Sequence, residues 1–249
     1  MALKNIKLTL EYDGGRYDGF VRLGKNESTN TIHNKLKEVL DKMTGEDVKL
    51  SAAARTEKGV HAHEQVVNFK TECSMKCLDI RNYLNRYLPR DIAVVNVCEM
   101  PERFDSALGA KSKTYLYRID IRNVASVFDR RYTYYSFDKL DVLAMKDASK
   151  AFVGQHDFVH FSSGKSNKNT NKTIEEIDIY DDGEELQIMI KANDFLHNMA
   201  RYMVKVLIDV GKGILSTKDM SLLLEGKKSD YEMELADSEG LYLERIEYK

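Results

Sequence analysis

Apolar residues along this chain change their spacing in the same order twice, and that repetition restricts the folds open to it. The first string begins with a strand over Lys4–Tyr12, where Ile6, Leu8 and Leu10 alternate with polar residues. A loop over residues 13–19 follows. A helix then starts near Ser28 or Thr29, either of which can cap it, and carries Ile32, Leu36, Val39, Leu40 and Met43 at helical spacing. Two strands flank residues 55–57, a second helix covers 76–88 up to Pro89, and a strand follows at 92–97. The order β-α-β-β-α-β is the ferredoxin-like unit.

The second string repeats the order with longer parts. It predicts a strand over 113–121, a helix over 139–152, strands over 173–180 and 185–191 around the hairpin dipeptide Asp182-Gly183, helices over 194–210 and 218–225, and a last strand over 241–248. The expectation is an α+β protein of two ferredoxin-like (βαββαβ) halves, residues 1–105 and 106–249. They would form one extended mixed or antiparallel sheet, with helices on one side and a central cleft. Residues 164–172 hold no apolar side chain and read as a mobile, mildly basic loop.

Composition excludes several classes. Hydrophobic residues are 43% and charged residues 31% of 249, without a low-complexity tract, which suits a soluble globular protein. No apolar run reaches the roughly 18–20 residues of a membrane span, and the N-terminus lacks a signal peptide's apolar core. Three cysteines (Cys73, Cys77, Cys98) cannot all pair and read as free buried thiols, so a cytoplasmic protein is expected. The net charge of −2 does not advertise a nucleic-acid binder. Its distribution is uneven, with seven basic and three acidic residues over 103–131 but nine acidic and four basic over 219–249. One region could present a positive surface, or these charges are simply solvated.

Three groups could do chemistry. Arg55 and Glu57 sit two residues apart in a tight connection between strands. A carboxylate beside a guanidinium stays ionised there, as a nucleophile or base or as an ordinary surface ion pair. Tyr115 and Tyr117 share one side of a strand, with Leu116 and Arg118 on the other, and could stack a splayed-out base or belong to the core. His197, Arg201 and Lys205 recur at four-residue spacing, on a solvated face or one turned toward the cleft, while Phe195, Met199, Met203, Leu207 and Val210 form the core stripe. In His61-Ala-His63 two imidazoles would project to one face, yet no third metal ligand is indicated. Walker, dinucleotide and Gly-x-Ser-x-Gly motifs are absent from the sequence.

Together these pieces resemble the tRNA pseudouridine synthase A family. The matching segments stand in the family's order: Glu11-Tyr-Asp-Gly14, Gly19-Phe-Val-Arg22, Ala54-Arg-Thr-Glu-Lys-Gly-Val-His-Ala62, Leu88-Pro-Arg-Asp-Ile-Ala93, Ser112-Lys-Thr-Tyr-Leu-Tyr-Arg118, Gly154-Gln-His-Asp-Phe158, the run 191–201, Val210-Gly-Lys-Gly213 and Glu239-Gly-Leu-Tyr-Leu243. The resemblance implies two ferredoxin-like halves, a homodimer, tRNA as partner and no metal or organic cofactor. It implies isomerisation of uridine to pseudouridine in the anticodon stem-loop on a flipped-out base. It assigns Glu57, Tyr115 and Arg201 to catalysis, and Arg55, Arg22 and Lys113 to substrate binding. The chain also departs from the family. Glu57 stands where the family has Asp, Gly19-Phe20-Val21 where it has Gly-Trp-Gln, Ala107 where an Arg is expected, and Asp194 where it has Gly. A catalytically impaired RNA-binding paralogue of the same fold is therefore the alternative, and a structural protein that has lost RNA a third reading.

Overall fold

The computed structural model describes residues 3–21, 28–164, 169–226 and 231–248. The chain divides into two compact units, Met1–Lys111 with Leu243–Lys249, and Ser112–Tyr242. Among the described residues, ten strands together with the helices make a mixed α+β protein.

The first unit contains β1 (Lys4–Tyr12), α1 (Ile32–Thr44), β2 (Leu50–Ala52), β3 (His61–Thr71), α2 (Cys77–Tyr87) and β4 (Ile92–Met100). The strands are antiparallel in the order β4-β1-β3, with β2 on the far side of β3. That is the ferredoxin-like arrangement expected from the order of elements. Ile6, Leu8 and Leu10 are buried from alternate positions of β1, and Leu36, Leu40, Ile80 and Leu84 are buried from the two helices. Helix α1 starts later than the sequence reading places it. Its cap is Thr31, whose hydroxyl accepts from Asn34 N–H (3.2 Å), rather than Ser28 or Thr29.

The second unit contains β5 (Ser112–Asp120), β6 (Tyr134–Tyr135), α3 (Val142–Ser149), β7 (Gly154–Asp157), β8 (Asn171–Asp181), β9 (Glu185–Ala192), α4 (Met199–Gly211) and α5 (Thr217–Leu224). From here β10 (Leu241–Glu247) carries the chain back into the first unit. The strand order is β5-β9-β8-β7, with β6 a short parallel addition to β5. Leu186, Ile188, Ile190 and Ala192 alternate into the core of β9, and Met199, Met203, Val204 and Leu207 enter it from α4. Strands β6 and β7 are additions to the expected string. The polar run 164–172 falls partly outside the described residues, and its end, Asn171 and Lys172, opens β8.

Other expectations are corrected here. Residues 194–198 are not helical. Asn198 takes φ 63°, a left-handed conformation that asparagine tolerates better than most, and α4 begins after it. Arg201 and Lys205 therefore lie on α4, whereas His197 does not. The three cysteines are free but only half-buried. His61 and His63 do not act as a pair. Register runs from Leu10↔Gln65 to Tyr12↔Ala62, so β3 has one more residue than β1 across this bulge. His61 is buried and its Nδ1 accepts from Gly14 N–H (3.1 Å), whereas the half-exposed His63 places Nδ1 2.6 Å from Glu244 Oε2. Among the described residues no cluster of three or more His, Cys, Asp or Glu is arranged to hold a metal ion.

Candidate active site

In the first unit the connection from β2 to β3 presents Arg55 and Glu57 on either side of a buried residue. Thr56 is buried, Arg55 is exposed and Glu57 is half-buried. Thr56 is anchored inward between an exposed neighbour and a partly exposed one. The anchor is specific. The hydroxyls of Tyr12 and Thr56 lie 2.8 Å apart, and Gln65 Nε2 reaches the Tyr12 oxygen at 3.4 Å. Gln65 also closes two bonds with the main chain of Ala54, donating from Nε2 to its carbonyl (2.9 Å) and accepting its N–H at Oε1 (3.2 Å). Burial holds the Tyr12 phenol far above its usual 10, so it serves as a neutral hydrogen-bonding group.

The loop after β1 completes the support. Phe20 N–H donates to the Thr56 carbonyl (2.9 Å), and Gly59 N–H donates to that of Tyr17 (3.3 Å). Two glycines permit this approach. Gly19 has φ 94°, and a Cβ there would lie 2.9 Å from the Thr56 oxygen; at Gly14 it would overlap the Val60 carbonyl. Val60 N–H returns to the Glu57 carbonyl (3.2 Å), closing a turn over Lys58-Gly59. Glu57 thus stands at the entrance of a turn whose backbone is fixed on both sides. Arg22 lies outside the described residues.

In the second unit Lys113, Tyr115 and Tyr117 occupy alternate positions of β5 and so share a face. Tyr115 is buried, and its ring meets that of Phe195 edge-on, with centroids 4.8 Å apart. Tyr117 is deeper and donates its hydroxyl to the Asp237 carbonyl (3.0 Å). Burial pushes that phenol well above its ordinary range, with Asp237, Glu239 and Tyr134 adding to the effect and Arg201 opposing it. Lys113 Nζ donates to Asp194 (2.6 Å).

Arg201 sits in the first turns of α4. Its Nε donates to the Ala236 carbonyl (2.7 Å), and Ala236 N–H donates back to the Arg201 carbonyl (3.3 Å). The polar stripe of α4 is therefore neither simply solvated nor idle, because it fastens the segment 231–237. Further along, Lys205 contacts Asp209 (2.7 Å) and Glu234 (3.3 Å), and Tyr231 donates to Asp209 (2.5 Å). Guanidinium Nε is the nitrogen nearest the stem, so holding it leaves the two terminal nitrogens for another acceptor.

Sequence reasoning missed Tyr12, Gln65, Lys172 and the 231–237 strap. Gln65 lies beside Val66 and Val67 in a strand run that also holds Asn68 and Lys70, so nothing in the sequence set it apart. Part of the basic run 103–131 is used internally, while Arg103, Lys111, Arg130 and Arg131 are exposed. Arg118 forms a two-pronged pair with Glu185 (2.9 and 2.6 Å), and Arg122 does so with Asp120 (2.8 Å for both bonds).

Residues 9–107 and 148–249 match a family model described as tRNA pseudouridine synthase. That match spans the Arg55–Glu57 loop and Arg201, and leaves out 108–147, where Lys113 and Tyr115 lie. The chain is 42% identical over 247 residues to "tRNA pseudouridine synthase A" of Bacillus sp. (strain KSM-64), covering 99% of this chain and 100% of that protein. It is 39% identical, with the same coverage, to "tRNA pseudouridine synthase A 2" of Bacillus anthracis. A relative of that name in Clostridium tetani is 35% identical over 98% of this chain and 99% of its own length. Among solved structures, the archaeal box H/ACA sRNP Nop10–Cbf5 complex aligns over 83% of this chain and 44% of that one, at 10% identity and a TM-score of 0.39. That likeness is too slight to build on.

Proposed function

The chain belongs to the tRNA pseudouridine synthase family, and from that premise we propose that it isomerises uridine to pseudouridine in the anticodon stem-loop of tRNA, with Glu57 as the catalytic carboxylate. A base inside a helix cannot be reached, so the target nucleotide flips out of its stack. The Glu57 carboxylate attacks or assists at that nucleotide and the N1–C1′ bond breaks. The uracil rotates, C5 bonds to C1′, and the C5 proton leaves while N1 gains one. Atoms and electrons balance without a co-reactant. Tyr115 stacks on the base and assists removal of the C5 proton, Arg201 pairs with the carboxylate, and Arg55 holds the extruded nucleotide. Lys113 and Arg22 serve the backbone.

The observation that carries this reading is the anchoring of Thr56 between exposed Arg55 and half-buried Glu57, on a backbone held from both sides. A preorganised carboxylate is what such chemistry needs, since displacement by about 1 Å can cost about 10²-fold in rate. Glu57 is one methylene longer than the family's Asp, and this favours a second reading, an RNA-binding paralogue with impaired catalysis. Incubation with an unmodified tRNA transcript, followed by mass-spectrometric mapping of pseudouridine, separates the two. The proposal expects product from the natural protein and none from Glu57→Ala. No product at stoichiometric enzyme, with activity restored by Glu57→Asp, favours the second.

The proposal includes a homodimer. Between 124 and 137 the chain exposes Val124 (80%), Val127 (67%), Phe128 (91%) and Phe137 (89%), more apolar surface than one short segment of a monomer usually leaves uncovered. Sedimentation at micromolar concentration tests it. Among the described residues no helix is long and apolar enough to cross a membrane. Free thiols on all three cysteines favour the cytoplasm as the place of action.

A further inference from the structure

Two lysines in the second unit converge on one carboxylate. Lys113 is the second residue of β5 and Lys172 the second of β8, the strands on either side of β9. Asp194 lies just past the end of β9. It accepts from Lys113 Nζ at Oδ1 (2.6 Å) and from Lys172 Nζ at Oδ2 (3.0 Å). The lysine side chains are only 12% and 13% exposed, while the carboxylate is 43% exposed. The ammonium groups therefore come up beneath Asp194, and the carboxylate is the part open to exchange.

We propose that Lys113 and Lys172 form a subsite for one phosphodiester of the substrate RNA, and that Asp194 is the anion which that phosphate displaces. This inference rests on the RNA-acting function proposed above. Two mostly buried cations against one anion leave an excess positive charge at this point of the second unit. The adjacent Lys191 pairs with Glu175 (3.6 Å). Carboxylate and phosphodiester each carry one negative charge on two oxygens, so either can take both ammonium groups.

The position fits a nucleotide. Lys113 shares its face of β5 with Tyr115, and Tyr115 meets Phe195, the residue that follows Asp194. An aromatic pair beside two cations matches a base and its phosphate. Burial works to raise the Asp194 carboxyl, yet the two lysines outweigh it and hold the group below its usual range. Asp194 is thus a firmly charged competitor.

Binding of an unmodified tRNA transcript measured across a salt series tests the subsite. Asp194→Asn, which keeps the shape and one acceptor, should bind severalfold more tightly at low salt, and its log–log salt slope should steepen by about 0.7. Lys172→Gln should flatten the slope by about the same amount. Inorganic phosphate should raise the melting temperature of Asp194→Asn more than that of the natural protein, because a ligand stabilises the state that binds it. If Asp194→Asn melts earlier, ignores phosphate and binds tRNA no more tightly, the trio is only a structural tie and the proposal is wrong. Pseudouridine formation with unchanged slopes sinks the subsite alone. Changed slopes without any product leave the subsite standing and remove the catalytic reading.

Discussion

The hydroxyls of Tyr12 and Thr56 meet at 2.8 Å beneath the loop that carries Arg55 and Glu57. This contact joins β1 to the β2–β3 connection across 44 residues of sequence. It fixes which way the middle residue of Arg55-Thr56-Glu57 faces.

Removing either hydroxyl should therefore alter catalysis more than folding. Thr56→Val loses one buried hydrogen bond, worth about 1 kcal/mol of stability, and Tyr12→Phe loses that bond and the longer one from Gln65. With Glu57 no longer held in place, kcat should drop on the order of tenfold or more. KM for tRNA should change little, and Thr56→Ser should retain activity. The double variant should lose no more than the worse single one, since both remove the same link. Kinetics on a tRNA transcript, paired with thermal melts, check this.

Gly19→Ala should be harsher. The position has φ 94°, and a methyl there would lie 2.9 Å from the Thr56 carbonyl oxygen that Phe20 N–H must reach. Strain of this kind costs about 1–3 kcal/mol. A lower denaturant midpoint together with lost activity is expected. An Ala variant as stable and active as the natural protein would show that the loop adapts freely.

Arg201→Lys should fail although charge is kept. Lysine has no Nε–H fork with which to hold the Ala236 carbonyl and still offer two more donors to a carboxylate. Tyr231→Phe acts at the other end of the strap. It removes the bond to Asp209 and should cost on the order of 1 kcal/mol locally. Hydrogen exchange at the Ala236 N–H, which donates to Arg201, should quicken in both variants.

Acid should weaken the second unit through Asp120. This carboxylate is buried and accepts from Arg122 and from the N–H groups of Arg122 and Ser126. Burial alone would raise it, but these donors prevail and hold it below its ordinary 3.8. A depressed carboxyl contributes stability above its unfolded value and loses that contribution as pH falls through the folded one. Asp120→Asn should therefore be less stable than the natural protein at neutral pH, and the gap should narrow below about pH 4. Urea melts across that range measure it.

Much of this fold was legible from periodicity. Ile6, Leu8 and Leu10 announce β1, and the alternation of β9 is visible from Leu186 to Ala192. Where the reading failed, a local conformation overrode the pattern. Phe195, Met199 and Met203 keep helical spacing, but the left-handed Asn198 breaks the helix between the first two, and Phe195 packs on Tyr115 instead. The short strands β6 and β7 have too few residues to show a period. At the site, Arg55 and Glu57 stood out because charges in a turn are conspicuous. Gln65 and Tyr12 did not, because their partners are distant in sequence and a glutamine on a strand looks like a solvent-facing residue. Lys172 sat in a run with no apolar residue and so read as loop.

Arg201 recognises the strap through main-chain atoms, taking the carbonyl of Ala236 on Nε and its N–H on its own carbonyl. Tyr231, five residues earlier, fixes the other end on Asp209. Such fastening is sensitive to distance along the chain more than to the side chains between. Chimaeras that exchange this stretch with a relative's should work when the number of residues from 231 to 236 is kept, even with different composition. A single inserted residue should slide the carbonyl out of reach and disarm an arginine that nobody altered.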